Sequence, residues 1–185
     1  MSAAVLPGLA LAVALSPAAA HAAIETQTVR FHADHVLGTS FDMAVAGGGE
    51  AQAEVAYLAA RAEVARLDAV LSAWRPDSEL AAFRADPTRA PSPDLAAVID
   101  ACETWRLRTG GAFDALCDGE LDVDGLAKGY VIDAALAAAR RAAPCASGLM
   151  IDIGGDIGCW GVHAWTLGLA HPLALRDNAP PAALV

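Results

Sequence analysis

The sequence predicts an α+β domain with helices and strands in mixed layers, and three observations carry that expectation. Apolar residues recur at helical steps in three segments, residues 50–73, 94–105 and 129–142. Short alternating or apolar runs at residues 29–32, 40–45 and 149–153 read as strands. The two kinds of segment are interleaved along the chain, as a layered domain requires. A chain of 185 residues with 56% hydrophobic and 18% charged residues has the apolar surface to bury one core.

Val29-Arg30-Phe31-His32 and Ser40-Phe41-Asp42-Met43-Ala44-Val45 alternate like the strands of a hairpin, and Gly47-Gly48-Gly49 turns the chain out of it. In the long helix that follows, Val55, Leu58, Ala62, Leu67, Val70 and Leu71 form the expected inner stripe, with Arg61, Glu63, Arg66 and Asp68 largely filling the other face. Trp74-Arg75-Pro76 ends it, because proline disfavours a helical residue before it. Asp77 or Ser78 then caps a short helix through Phe83. Residues 86–93 form a proline-rich link that closes on Ser92-Pro93-Asp94, a cap followed by proline in the first turn. The helix it starts carries Leu95, Val98, Ile99, Cys102 and Trp105 on one stripe and closes at Gly110-Gly111. A further helix is expected from about Gly129 to Ala142, with Tyr130, Ile132, Leu136 and Ala139 inward. Leu149 to Ile153 is a short strand ending in Gly154-Gly155-Asp156. Trp165 to Ala170 reads as another strand, His171 to Pro181 as a loop, and residues 182–185 as a strand just beginning.

A net charge of −10 argues against nucleic acid or an anionic membrane surface as the main partner, since both require a cationic face. An anionic small ligand would have to be held by backbone amides, one well-placed lysine or a metal. The first 22 residues contain no Asp, Glu, Lys or Arg; Leu9 to Leu15 is apolar, and Ala20-His21-Ala22 has the form that signal peptidase reads. The expected organisation is a signal peptide over residues 1–22, with no lysine or arginine before its apolar run, and one domain over residues 23–185. The apolar stretch, broken by Pro7 and Pro17, is too short for a membrane span. Cys102, Cys117, Cys145 and Cys159 are too far apart for a CxxC pair, so neither a thioredoxin-like centre nor a zinc ribbon is supported.

Three segments gather glycine, carboxylate and lysine where a core would not want them: Gly110-Gly111-Ala112-Phe113-Asp114, residues 122–130, and Asp152-Ile153-Gly154-Gly155-Asp156. In the second, Gly125 and Gly129 allow close backbone approach, amides at a helix start favour an anion, and Lys128 adds a point charge for phosphate. Asp122 or Asp124 could hold a ribose hydroxyl or orient a metal. The segment is neither a Walker loop nor GxGxxG.

Taken in order, Leu37-Gly38-Thr39-Ser40, the run from Leu71-Ser72-Ala73-Trp74-Arg75 to Ser78-Glu79-Leu80, Thr109-Gly110-Gly111-Ala112-Phe113-Asp114, Asp122 with Gly125-Leu126-Ala127-Lys128-Gly129-Tyr130, and Ile153-Gly154-Gly155-Asp156 resemble the motif series of the FAD:protein FMN transferases, the ApbE family. The resemblance covers about residues 30–175. It implies that family's fold, FAD as substrate, Mg²⁺, and transfer of FMN to a Thr hydroxyl of a target protein with release of AMP. It implies FAD contacts at Leu37, Trp74, Ala112, Phe113, Asp114, Asp122 and Lys128, and a metal ligand in the carbonyl of Gly125. The acceptors it implies are Thr-bearing subunits of membrane redox complexes, which suits export to the periplasm and association with the inner membrane. No individual catalytic residue follows from it.

The sequence departs from the family pattern in three places. Only residues 115–121 separate Asp114 from Asp122, where the family has a longer stretch. Asp124 replaces the first glycine of the family's Gly-Gly pair and adds a negative charge near the phosphates. The family continues with a His-x-Ile-x-Asp-Pro-x-Thr-Gly loop that completes the metal site, and none follows Val185. The expectation is therefore an incomplete C-terminal part and weak or no transferase activity from this polypeptide alone. The alternatives are a non-catalytic flavin-binding protein or a non-functional fragment. A metal hydrolase built on His32 and His35 is the least supported, because no carboxylate motif accompanies them.

Overall fold

The computed structural model describes residues 27–116, 119–169 and 181–185. The expected signal peptide, Cys117 and most of the expected loop before Pro181 lie outside the described residues.

Two nine-residue strands, β1 (Thr28–Val36) and β2 (Thr39–Gly47), open the domain, followed by helices α1 (Gly49–Leu71), α2 (Glu79–Ala85), α3 (Pro93–Arg108) and α4 (Asp124–Ala142), then β3 (Ala146–Ile153) and β4 (Asp156–Gly161). A pair of two-residue strands, β5 (Gly168–Leu169) and β6 (Ala183–Leu184), lies apart from these. The main sheet is antiparallel in the order β1-β2-β3-β4. This is the α+β architecture the sequence predicts.

Alternation fixes the buried face of the sheet. Phe41, Met43 and Val45 of β2 stand opposite Ile153, Ile151 and Leu149 of β3, and all six are essentially inaccessible. On a β2–β3 pair held by this set, a one-residue slip would expose every core side chain, so the register is strongly specified. α1 and α4 cover this face side by side, α1 over β1 and β2 and α4 over β3 and β4. Gly158 lets α4 settle on β4: a Cβ there would lie 2.5 Å from Ile132 and 2.8 Å from Leu136.

The buried stripe of α1 corrects the expectation. It consists of Ala53, Ala56, Ala60, Val64, Leu67 and Leu71, while Val55 and Leu58 are half exposed or more and Ala62 faces solvent. The opposing face of α4 is Ala127, Val131, Ile132, Ala135, Leu136 and Ala139. Alanines on both helices allow close approach, and that proximity, rather than the position of the larger side chains, sets the rotation of α1. Ala60→Leu should therefore destabilise the fold by about 1–3 kcal/mol through overpacking. Leu58→Ala, on the exposed face, should stay within about 0.5 kcal/mol; urea unfolding of the two variants checks both.

Other differences are local. The short helix is capped by Ser78, whose Oγ accepts from the Ala81 amide at 3.0 Å, and it runs to Ala85. On α3, Leu95, Val98 and Cys102 are buried, whereas Trp105 is substantially exposed. β4 has too little β-branched or alternating character to be read from sequence. The strand expected from Trp165 reduces to Gly168–Leu169; Trp165 itself packs edge-on against His163, their rings 4.5 Å apart. The chain end pairs, with β6 and Val185 bonded to residues 167–169. The cysteines Cys102, Cys145 and Cys159 are free thiols. No helix among the described residues is long and apolar enough to cross a membrane.

A polar cluster ties α1, α3 and α4 together. Arg66 donates to Glu63 at 2.8 Å and to Asp94 at 2.6 Å, and the Tyr130 hydroxyl donates to the other oxygen of Asp94 at 2.8 Å. Hydrogen bonds from Arg66, ahead of other causes, hold the carboxyls of Glu63 and Asp94 below their ordinary values. Groups whose folded values are depressed stabilise the fold above their unfolded values, near pH 4, and lose that contribution as the pH falls through the folded values. Arg66→Met should accordingly melt below the wild type at neutral pH and converge with it in acid, measured as Tm against pH.

Candidate functional site

The topology gathers the glycine-bearing segments at one end of the sheet. In an antiparallel meander the β1–β2 and β3–β4 turns fall on the same side. Here the first is Leu37-Gly38, both residues with positive φ (51° and 76°), and the second is Gly154-Gly155 (60° and 92°). Positive φ at both central residues is the tight hairpin turn that matches strand twist. The turns touch: the Gly154 amide donates to the Ser40 carbonyl at 3.2 Å, and a Cβ on Gly154 would stand 2.8 Å from the Thr39 side chain. α1 runs from the opposite end of the sheet, so its C-terminus arrives beside these turns, as does the N-terminus of α4.

Past Leu71 the chain is held by two serines. Ser72 Oγ accepts from the amides of Trp74 and Arg75, both at 3.3 Å. Ser78, only 1% exposed, donates from Oγ to the Ser72 carbonyl at 2.7 Å while capping α2. Arg75 folds back between Asp77 (2.8 Å) and Asp68 (3.3 Å). Between these anchors Trp74 stands 88% exposed. A large indole in water on a loop pinned at both ends marks a ligand surface better than a packing residue does. Ser78→Ala should cost about 1–3 kcal/mol by orphaning the Ser72 carbonyl and removing the α2 cap. It should also weaken any ligand that rests on Trp74; thermal melts and ligand titration read the two effects separately.

The expected loop before Gly129 is instead the start of α4, five residues earlier than the sequence reading placed it. The Asp122 carboxylate accepts from the Asp124 amide at 2.9 Å, Val123 is fully buried, and its carbonyl takes the amides of Leu126 and Ala127. These contacts begin the helix before the glycines, so Gly125 and Gly129 lie within it. Gly125 is required by packing, for a Cβ there would meet the Phe113 ring at 2.9 Å. On the second turn, Lys128 Nζ lies 3.0 Å from Asp156 Oδ2, beside the Gly154-Gly155 turn.

These elements enclose a cleft of about 660 Å³, within the usual range for small-molecule sites. His35, Leu37, Gly38, Asp68, Ser72, Trp74, Arg75, Asp124 and Lys128 are among the residues that line it. Three of the eight site residues named from sequence, Leu37, Trp74 and Lys128, are thus brought together. The other five form a neighbouring group around the start of α4. Ala112 is exposed, Phe113 lies over Gly125, and Asp114 Oδ1 accepts from the Leu116 amide at 2.9 Å. The Asp122 amide donates to the Ala115 carbonyl at 2.8 Å. Asp124 was read as an alternative to Asp122 for a ribose hydroxyl or a metal, and as a departure from the family pattern; burial first, then the charge of Asp122, push its carboxyl above the ordinary range, against the pull of Arg84 and Lys128. Gly38, Ser72 and Arg75 were legible as motif members. Asp68 was read as part of the outer helix face, and His35 was weighed only as a poorly supported metal ligand beside His32.

Among the described residues no group of three or more His, Cys, Asp and Glu converges as a metal would require. The sequence model of the ApbE family matches residues 37–119 and 117–184, which take in every lining residue except His35. The chain belongs to the ApbE family. Its fold is that of solved ApbE structures. It matches the apo form of the Pseudomonas stutzeri flavinyl transferase ApbE with a TM-score of 0.64 at 18% identity, over 78% of this chain and 62% of that one. It matches a mutant of the Vibrio cholerae flavin transferase ApbE with a TM-score of 0.66 at 16% identity, over 80% of this chain and 68% of that one. The chain thus spans about two thirds of the length of these ApbE proteins. No relative among curated proteins matches it.

Proposed function

We propose that the cleft binds FAD and that the chain supplies the FAD-handling part of a Mg²⁺-dependent FMN transferase. In the reaction, the Thr oxygen of a target protein bonds to the FMN phosphorus as the pyrophosphate P–O bond breaks. The hydroxyl proton is lost and AMP leaves. The observation that carries this reading is the convergence of Leu37, an exposed Trp74 and Lys128 on one cleft from three elements far apart in sequence. Trp74 offers a flat face for isoalloxazine or adenine. Lys128 offers a cation to the pyrophosphate once Asp156 is displaced or shared, since an ammonium has three donors. Phosphoryl transfer needs chiefly positioning and charge neutralisation, which suits a cleft that offers a lysine beside a glycine turn.

Mg²⁺ enters the proposal from the family resemblance. The donors in hand do not make a Mg²⁺ site by themselves: Asp122 is engaged with the Asp124 amide, and Gly125 lies in the first turn of α4. Ala112, Phe113 and Asp114 are proposed to border the same ligand from beyond the start of α4. The acceptor is proposed to be a Thr-bearing subunit of a membrane redox complex, met in the periplasm after export by residues 1–22. The engagement of the Asp122 carboxylate by the Asp124 amide favours a second reading, a flavin-binding protein without transfer. Incubation with FAD, Mg²⁺ and a Thr-bearing acceptor separates the two. Flavin fluorescence that survives on the denatured acceptor, with AMP released, supports transfer; FAD bound with neither product supports the second reading.

A further inference from the structure

We propose that His35 is a ligand-contacting residue of the cleft whose protonated imidazole takes a phosphate oxygen, an inference that rests on the FAD reading above. β1 carries two histidines with different fates. His32 is committed to its own strand pair, 2.8 Å from Asp42 and 3.3 Å from Asp34. His35 lines the cleft with Leu37, Trp74 and Lys128.

The backbone takes a disfavoured route to put it there. The pairing of β1 with β2 slips between Ala33 and Val36, which marks a bulge. In an unbroken strand His35 would share the inward face of Phe31 and Ala33, and Val36 would face out. The bulge reverses this. Val36 is buried in the core, and His35 is exposed with φ 58°. His35 and Leu37 are the two non-glycine residues with positive φ among the described residues, and both line the cleft. Disfavoured backbone concentrated on a cleft is typical of ligand sites, where it aims a side chain.

An imidazole here serves the ligand chemistry already argued. It gives a dinucleotide a second cation that Lys128 alone does not supply, and one present only in the protonated form. The charged groups around the cleft are Asp34 beside it in β1, Asp68 and Arg75 at the end of α1, and Asp124 and Lys128 on α4. Arg75 is paired with Asp68 and Asp77, and Lys128 with Asp156. Two groups could mimic the effect: Asp124, whose neutralisation in acid would also favour an anion, and His32, which its hydrogen bond to Asp42 holds above the ordinary histidine value. The test must therefore separate His35 from Asp124, and a gain due to His32 would survive in His35→Asn.

Binding of FAD and of inorganic pyrophosphate should be titrated at about pH 5.5 and about pH 8, either side of the ordinary histidine value. The proteins are the full chain, His35→Asn and Asp124→Asn, with circular dichroism as the folding check. Asparagine tolerates positive φ, so His35→Asn keeps the bulge. The wild type should bind both ligands roughly tenfold more tightly at the lower pH, as one added charge-assisted hydrogen bond gives. Asp124→Asn should keep most of that gain and His35→Asn should lose it. A gain that survives in folded His35→Asn, or a wild type with no gain, overturns the proposal. Pyrophosphate binding that follows the expected profile while FAD fails to bind keeps His35 and sinks the FAD reading instead.

Discussion

Trp74→Ala should weaken FAD binding by about ten- to a hundredfold while leaving the melting temperature close to that of the wild type. Stacking of a base-like ring on an aromatic side chain is worth about 1–3 kcal/mol by alanine substitution, and tenfold corresponds to about 1.4 kcal/mol. At 88% exposure the indole contributes almost nothing to the core, so the two readouts part cleanly. The loop is held by backbone amides on Ser72 Oγ and by the Ser78 hydroxyl, none of which involves the indole. Trp74→Phe should recover much of the affinity. Quenching of flavin fluorescence gives both constants, and an unchanged affinity in Trp74→Ala would place the ring system elsewhere.

Phe41→Ala should show the opposite pattern, a loss of about 3–5 kcal/mol of stability, the range for deleting a buried phenyl ring. Phe41 has no exposed surface and stands opposite Ile153 across the sheet. Its ring meets Tyr57 edge-on, the centroids 6.1 Å apart, and the Arg61 guanidinium lies 5.5 Å from its centre. Tyr57 in turn stacks on Phe31 at 4.5 Å, so one deletion loosens β1, β2 and α1 together. The site should feel this as well, because Ser40, one residue before Phe41, receives the Gly154 amide that joins the two turns. Phe41→Leu should cost a fraction as much. Urea unfolding of the three proteins provides the comparison.

What could be read from the sequence followed from chemistry that is local. Alternation over residues 40–45 gave strand β2, and Ser92-Pro93 gave the start of α3 to the residue. The motif order gave the family, and it named Leu37, Trp74 and Lys128, three residues that line one cleft. What escaped was set by contacts distant in sequence. The rotation of α1 depends on the alanine face of α4, which no period within α1 reports. The early start of α4 depends on the burial of Val123 and on one Asp122 hydrogen bond. β4 exists because β3 offers it an edge and Gly158 admits α4. His35 was hidden because a bulge is a property of two strands, and an alternation count on one strand points its side chain the wrong way.

The most direct test of the account is a crystal structure of the chain grown or soaked with FAD. The account requires the dinucleotide in the cleft at the turn end of the sheet, with a ring system against Trp74, the pyrophosphate within reach of Lys128, and the Leu37-Gly38 turn in contact. FAD bound away from these residues, or a cleft empty at saturating FAD, would contradict it.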